Sequence, residues 1–98
     1  MEIKVRDFII GDTATSYEDG KRCLDEICKY IDQEEVELNF EGINYVITAF
    51  LNPIIGDLII QKGENIMKRI KIKNANSSTI EKIKMIKDGT LLKREDIE

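Results

Sequence analysis

Three times along the chain a short apolar segment gives way to a segment with helical spacing, and this order constrains the fold more than any single residue. Ile3, Val5, Phe8, Ile9 and Ile10 make an apolar-rich opening segment closed by Gly11-Asp12, the composition and punctuation of a strand. Thr13-Ala14-Thr15-Ser16 is small and polar and reads as a loop leading to a helix start. From Tyr17 to Asp32, residues Leu24, Ile27, Cys28 and Ile31 recur at the spacing of one buried helix face, with Glu18, Lys21, Arg22, Asp25, Glu26 and Lys29 opposite. Gly20, inside the first turns, costs about 1 kcal/mol in helix propensity and points to a close approach of other atoms to the backbone there.

Glu35 to Glu41 alternates: Val36, Leu38 and Phe40 face one way, Glu35, Glu37, Asn39 and Glu41 the other. This is a strand with one face inward. Gly42-Ile43-Asn44 turns the chain, and Tyr45-Val46-Ile47 leads to the next helix, which has two candidate starts. Thr48 fits as its N-cap; alternatively, Asn52 caps it with Pro53 at the first helical position. In the first case Pro53 removes the hydrogen bond to the Ala49 carbonyl and loosens the helix. Ile54, Ile55, Leu58 and Ile59 form its core face and Gly63 stops it. Met67 to Asn74 reads as the last strand, with Ile70 and Ile72 alternating against Arg69, Lys71 and Lys73. Ser78-Thr79-Ile80-Glu81 matches a capping box. Ile80, Ile83 and Ile86 then give a short amphipathic helix, Gly89 its C-terminal cap, and residues 88–98 a loosely docked tail. Strands alternating with helices at these lengths predict an α/β fold, a mostly parallel sheet flanked by helices.

The 98 residues fit one domain, 1–98. The chain holds no His, which excludes Ser-His-Asp and Cys-His triads and disfavours the common zinc sites. Neither a signal-peptide layout nor roughly 18 uninterrupted apolar residues is found. Cys23 and Cys28, on one helix, would be separated by about 7.5 Å of rise and point to different faces, so they read as free thiols of a cytoplasmic protein. The glycines are isolated and the carboxylates dispersed, so no phosphate loop, metal set or catalytic residue emerges. The expectation is a protein that is not an enzyme and carries neither cofactor nor metal.

The run from Val36 to Leu58, with its strand Leu38-Asn39-Phe40, Gly turn, apolar step Tyr45-Val46-Ile47 and hydroxyl residue Thr48 at a helix entry, resembles the core of the STAS domains of bacterial anti-sigma-factor antagonists. More closely, it resembles the bacterial STAS-like domain family of unassigned function, and the resemblance extends from about Gly11 to Gly89. In the antagonists the strand is followed by Asp-Ser-Ser-Gly at the helix entry. Here Ile47 stands in the place of the Asp, Thr48 in that of the phosphorylated Ser, Ala49 replaces the second Ser and Phe50 the Gly. The resemblance implies a single small STAS-like domain. It implies docking of a protein partner, such as a histidine-kinase-type ATPase or switch kinase, through Gly11, Asp12, Thr13, Ser16, Tyr17, Ala49, Phe50, Asn52 and Asp57, with Thr48 as phospho-acceptor.

Thr48 therefore carries two compatible readings. As a cap it stabilises the helix by about 1 kcal/mol. As an acceptor it would gain roughly −1.5 to −2 charge at pH 7, tolerated by the helix end and repelling an acidic partner surface. Ser16, Ser77 and Ser78 are further hydroxyls at helix entries. The net charge of −4 divides into −7 over residues 1–49 and +3 over residues 50–98. Lys62, Lys68, Arg69, Lys71 and Lys73, then Lys82, Lys84, Lys87, Lys93 and Arg94, supply the basic half. These read as a solvated face in preference to an anion or nucleic-acid site, since Phe50 is the sole aromatic of that half. A regulatory interaction module is the leading expectation, with a nucleotide or small-ligand binder as alternative and a nucleic-acid-associated protein behind it. No membrane contact is expected, and an open sheet edge would permit a homodimer.

Overall fold

The computed structural model describes the backbone of residues 1–97 and the side chains of residues 1–90. Strand β1 (Glu2–Lys4), β3 (Val36–Asn39) and β5 (Ile70–Lys73) form a parallel sheet in the order β1-β3-β5. Its register pairs Ile3 with Leu38 and Leu38 with Ile72. Because side chains alternate across a strand, this row, with Val36 and Ile70, faces the core, where helix α1 (Tyr17–Tyr30) and the helical run after Ile47 also bury their apolar sides. The opposite face is polar, and there Glu35 pairs with Lys71 at 3.1 Å and Glu37 with Lys73 at 2.9 Å.

The opening strand is shorter than the apolar run predicts. Val5–Phe8 coils into a 3-10 turn that buries Val5 at its start, and Ile10 is 98% exposed. The expected loop then contains a strand: β2 (Thr13–Ala14) pairs in parallel with β4 (Tyr45–Val46) as a second, two-stranded sheet. The last strand is also shorter, because Glu64–Arg69 is a 3-10 segment.

Helix α1 begins where Ser16 accepts a hydrogen bond from the Asp19 N–H at 3.3 Å, the geometry of an N-cap. Gly20 meets the close approach its position suggests. A methyl there would fall on the Phe50 carbonyl oxygen and within 2.8 Å of Pro53 Cγ.

From Thr48 to Lys62 the chain is continuously helical: α2 (Thr48–Leu51), a π-helical segment (Asn52–Asp57) and α3 (Leu58–Lys62). Both candidate starts are corrected. The N-cap position is Ile47, Thr48 is the first helical residue, and no side chain caps this end. Pro53 therefore lies inside the run. Lacking an N–H, it leaves the Ala49 carbonyl without its fourth-residue donor, and the chain widens there to the five-residue spacing of a π-helix. Ile54, Ile55, Leu58 and Ile59 are fully buried, and Gly63 ends the run at φ 87°.

Helix α4 (Ser77–Ile97) does not use the capping box at Ser78. Asn76 is the cap: its Oδ1 accepts from the Thr79 N–H at 2.8 Å. Nor does Gly89 end this helix, which runs on to Ile97; the side chains of the expected tail beyond Thr90 lie outside the described residues. Ile83 is buried, while Ile80 is 40% exposed. Both cysteines are free. Among the described residues no helix is long and apolar enough to cross a membrane.

Candidate functional site

The β2–β4 pair brings two helix entries side by side. Thr13 aligns with Tyr45 and Ala14 with Val46. Continued in the same register, Ser16 at the start of α1 lies opposite Thr48 at the start of α2. The joint is held at its base by Asp12, whose carbonyl accepts from the Asn44 N–H at 2.8 Å and whose carboxylate accepts from the Asn44 side-chain amide. It is closed above by the Ile47 N–H, which donates to the Ala14 carbonyl at 3.0 Å.

The far side of β4 is covered by α4. Asn76 Nδ2 donates to the Asn44 carbonyl at 3.5 Å, and Lys82 Nζ to the Val46 carbonyl at 2.6 Å. The same ammonium lies 4.6 Å from the centre of the Tyr45 ring, within cation–π range. Tyr45 is 52% exposed and Tyr17, at the start of α1, 50%. The Thr48 side chain is exposed as well, and its hydroxyl has no hydrogen-bond partner among the described residues.

Of the sequence-predicted site residues, Gly11, Asp12, Thr13 and Tyr17 are exposed, as Thr48 is, and lie on the segment that runs through β2 into the start of α1. Ser16 is half-buried and occupied as a cap, and Ala49 is half-buried. Asn52 is exposed one turn below Thr48, its N–H bonded to the Thr48 carbonyl. Phe50 does not belong to the surface: it is fully buried under α1, where a docked partner cannot reach it. Asp57 stands nine residues beyond Thr48 along the helical run, roughly 13 Å of rise away, and is not part of the cluster. Lys82, Tyr45, Asn44 and Asn76 belong to it and are not among the sequence-predicted site residues. Their roles depend on α4 packing against β4, a long-range contact that leaves no local pattern.

A second polar cluster closes the end of the three-stranded sheet. Asn39 lies on the polar face, as alternation predicts, yet is only 6% exposed. Its Oδ1 accepts from the Glu41 N–H and from Asn74 Nδ2, both at 2.9 Å, and its Nδ2 donates to Glu2 Oε2 at 3.3 Å. Asn74 holds φ 58°, a left-handed conformation Asn tolerates.

The lysines of the basic half are partly consumed within the molecule: Lys62 pairs with Asp32 at 2.9 Å, Lys71 and Lys73 with β3 carboxylates, and Lys82 with the Val46 carbonyl. The Lys73 hydrogen bond holds the Glu37 carboxyl below its ordinary range, and the same bond raises Lys73. Two shallow grooves, of about 280 and 350 Å³, open elsewhere: one beside Glu2, Lys4 and Phe8, the other beside Glu64, Met67 and Lys87.

The sequence pattern of a family described as a STAS-like domain of unknown function matches residues 19–79, the stretch that carries most of α1, the strands β3, β4 and β5 and the helical run from Thr48 to Lys62. The chain belongs to that family. The matched span is narrower than the resemblance read from the sequence: it includes Asn39, Thr48 and the whole π-containing run but stops short of the Gly11–Tyr17 segment and of most of α4. No curated protein and no solved structure matches the chain. In this STAS-like chain, then, half of the candidate surface lies within the matched span and half, including Lys82, outside it.

Proposed function

We propose that the chain is a non-enzymatic regulatory module that docks a protein partner on the surface formed by Asp12–Tyr17, Tyr45 and Thr48, and that phosphorylation of Thr48 switches the docking. The observation that carries this reading is the exposed, unbonded Thr48 hydroxyl at the first residue of an uncapped helical run, set against the α1 entry by the β2–β4 pair. Since Ile47 and not Thr48 occupies the cap position, the hydroxyl is not committed to the helix end. A phosphate there adds roughly −1.5 to −2 charge at the positive end of the helix dipole. It also offers Lys82 a stronger acceptor than the Val46 carbonyl it now holds, which would draw the ammonium off the Tyr45 ring and change both charge and shape of the surface. Resemblance to the anti-sigma-factor antagonists supplies the partner class, a histidine-kinase-type ATPase or switch kinase that brings the ATP whose terminal phosphoryl group is transferred.

The test is quantitative capture from the native host with wild-type chain, Thr48→Ala and Thr48→Glu as baits. The proposal expects one partner whose yield Thr48→Glu changes by about tenfold or more while Thr48→Ala leaves it near wild type. Equal yields on all three baits overturn the switch.

A further inference from the structure

We infer that the outer edge of β2 accepts an extended basic segment of the partner as an added strand. The inference rests on the docking reading above and names the chemistry of its occupant. Asp12 and Ala14 direct their carbonyls to β4, so by strand geometry the N–H and C=O groups of Thr13 and Thr15 point away from it. Neither residue's backbone has another hydrogen-bond partner among the described residues, and both are exposed.

The contrast with β4 is informative. The outward carbonyl of Val46 and that of Asn44, just before the strand, are taken by the side chains of Lys82 in α4 and of its cap Asn76. One edge of this small sheet is closed and the other is left as an open template, the arrangement that strand addition uses. Ile10, 98% exposed, and Tyr17, half-exposed, precede and follow the Thr13–Thr15 stretch in the chain and are available as apolar contacts for an added strand.

Charge selects the occupant. From Asp7 to Gly20 the chain has Asp7, Asp12, Glu18 and Asp19 and no Lys or Arg. Of these, Asp19 alone is ion-paired among the described residues, with Arg22 at 2.9 Å. A second copy would set this acidic edge against itself, and like charges across an edge oppose pairing. A segment alternating Lys or Arg with aliphatic residues meets the open backbone groups, the apolar flanks and the acidic rim together.

The probes are two short soluble peptides, one alternating lysine with valine and the other glutamate with valine. They are titrated into the isotopically labelled chain and followed by backbone amide shifts. The expected result is binding of the lysine peptide about tenfold or more tighter than the glutamate peptide, with the largest shifts at Thr13 and Thr15. Thr13→Pro, which deletes an outward N–H, abolishes binding, and Thr13→Val keeps it. The pair Asp7→Asn with Glu18→Gln weakens it without touching the backbone, and decides the matter should Thr13→Pro unfold the chain. Equal binding of both peptides, no binding, self-association in place of peptide binding, or shifts centred on β5 overturn the inference. The peptide titration reads strand addition on the bare chain and the capture experiment reads the Thr48 switch, so failure of one and failure of the other are separate results.

Discussion

Gly20 links the two elements that build the candidate surface. It lies one turn into α1, against the Phe50 carbonyl and the Pro53 ring of the second helical run. Backbone cannot yield as a flexible side chain can. Gly20→Ala is therefore expected to destabilise by about 1–3 kcal/mol, despite alanine's better helix propensity, as read by urea unfolding. This position was legible in the sequence, since glycine inside a helical pattern is costly unless something approaches closely. Thr48 was legible only as a residue of interest. Whether it caps the helix depends on where the first turn begins, and one residue of phase separates the two answers. Burial pushes the Cys23 thiol up to about 12 from its ordinary 9.0, with Glu26 adding to the rise, and raises Cys28 by a smaller burial. A thiol raised on folding contributes its full stability below its unfolded value and loses it as pH climbs toward the folded one. Cys23 therefore favours the native state throughout the neutral range and ceases to do so between about pH 9 and 12. Alkylation at neutral pH should label Cys28 first and Cys23 only on unfolding; labelling of both at one rate would contradict the packing of α1.

At the scale of elements, period-two alternation located β3 and β5 because each has one buried face. No such signal exists for β2 and β4. A two-residue strand has no period, and both are recognisable only by pairing with each other. Val5–Phe8 shows the converse: an apolar run read as strand becomes a 3-10 turn that buries Val5 and leads the chain from β1 to β2. The start of α4 was displaced by a similar ambiguity, since Asn76 and Ser78 are both good caps and the structure uses Asn76. Asn76→Ala is expected to cost about 1 kcal/mol and to loosen the cover over the Asn44 carbonyl, whereas Ser78→Ala stays near wild type in thermal unfolding. A larger loss at Ser78 would restore the capping box. The π segment follows from Pro53 within a helix that cannot start later, and it was foreseen as a loosening without its form.

Over the whole molecule, the acidic first half and basic second half are joined on the polar face of the sheet, where β3 carboxylates meet β5 lysines. The split was visible in the sequence; its pairing required the parallel β3–β5 register. Lys71→Glu with Lys73→Glu should lower the melting temperature, more at low salt than at high, because exposed pairs are screened. Glu37 is held below its ordinary carboxyl range by Lys73, so its contribution is present above that range and disappears as pH falls through the lowered value. In the double variant this acid-side loss should vanish. The same architecture leaves one surface of the molecule with exposed tyrosines, an open strand edge and an unbonded threonine hydroxyl, and that surface carries the regulatory reading. The most direct measurement is phosphosite mapping of the chain recovered from its native host by mass spectrometry. The account predicts a phosphoryl group on Thr48, absent from Thr48→Ala. A chain modified at Ser16, Ser77 or Ser78 with Thr48 bare, or bearing no phosphate under any condition in which the partner is bound or released, would contradict it.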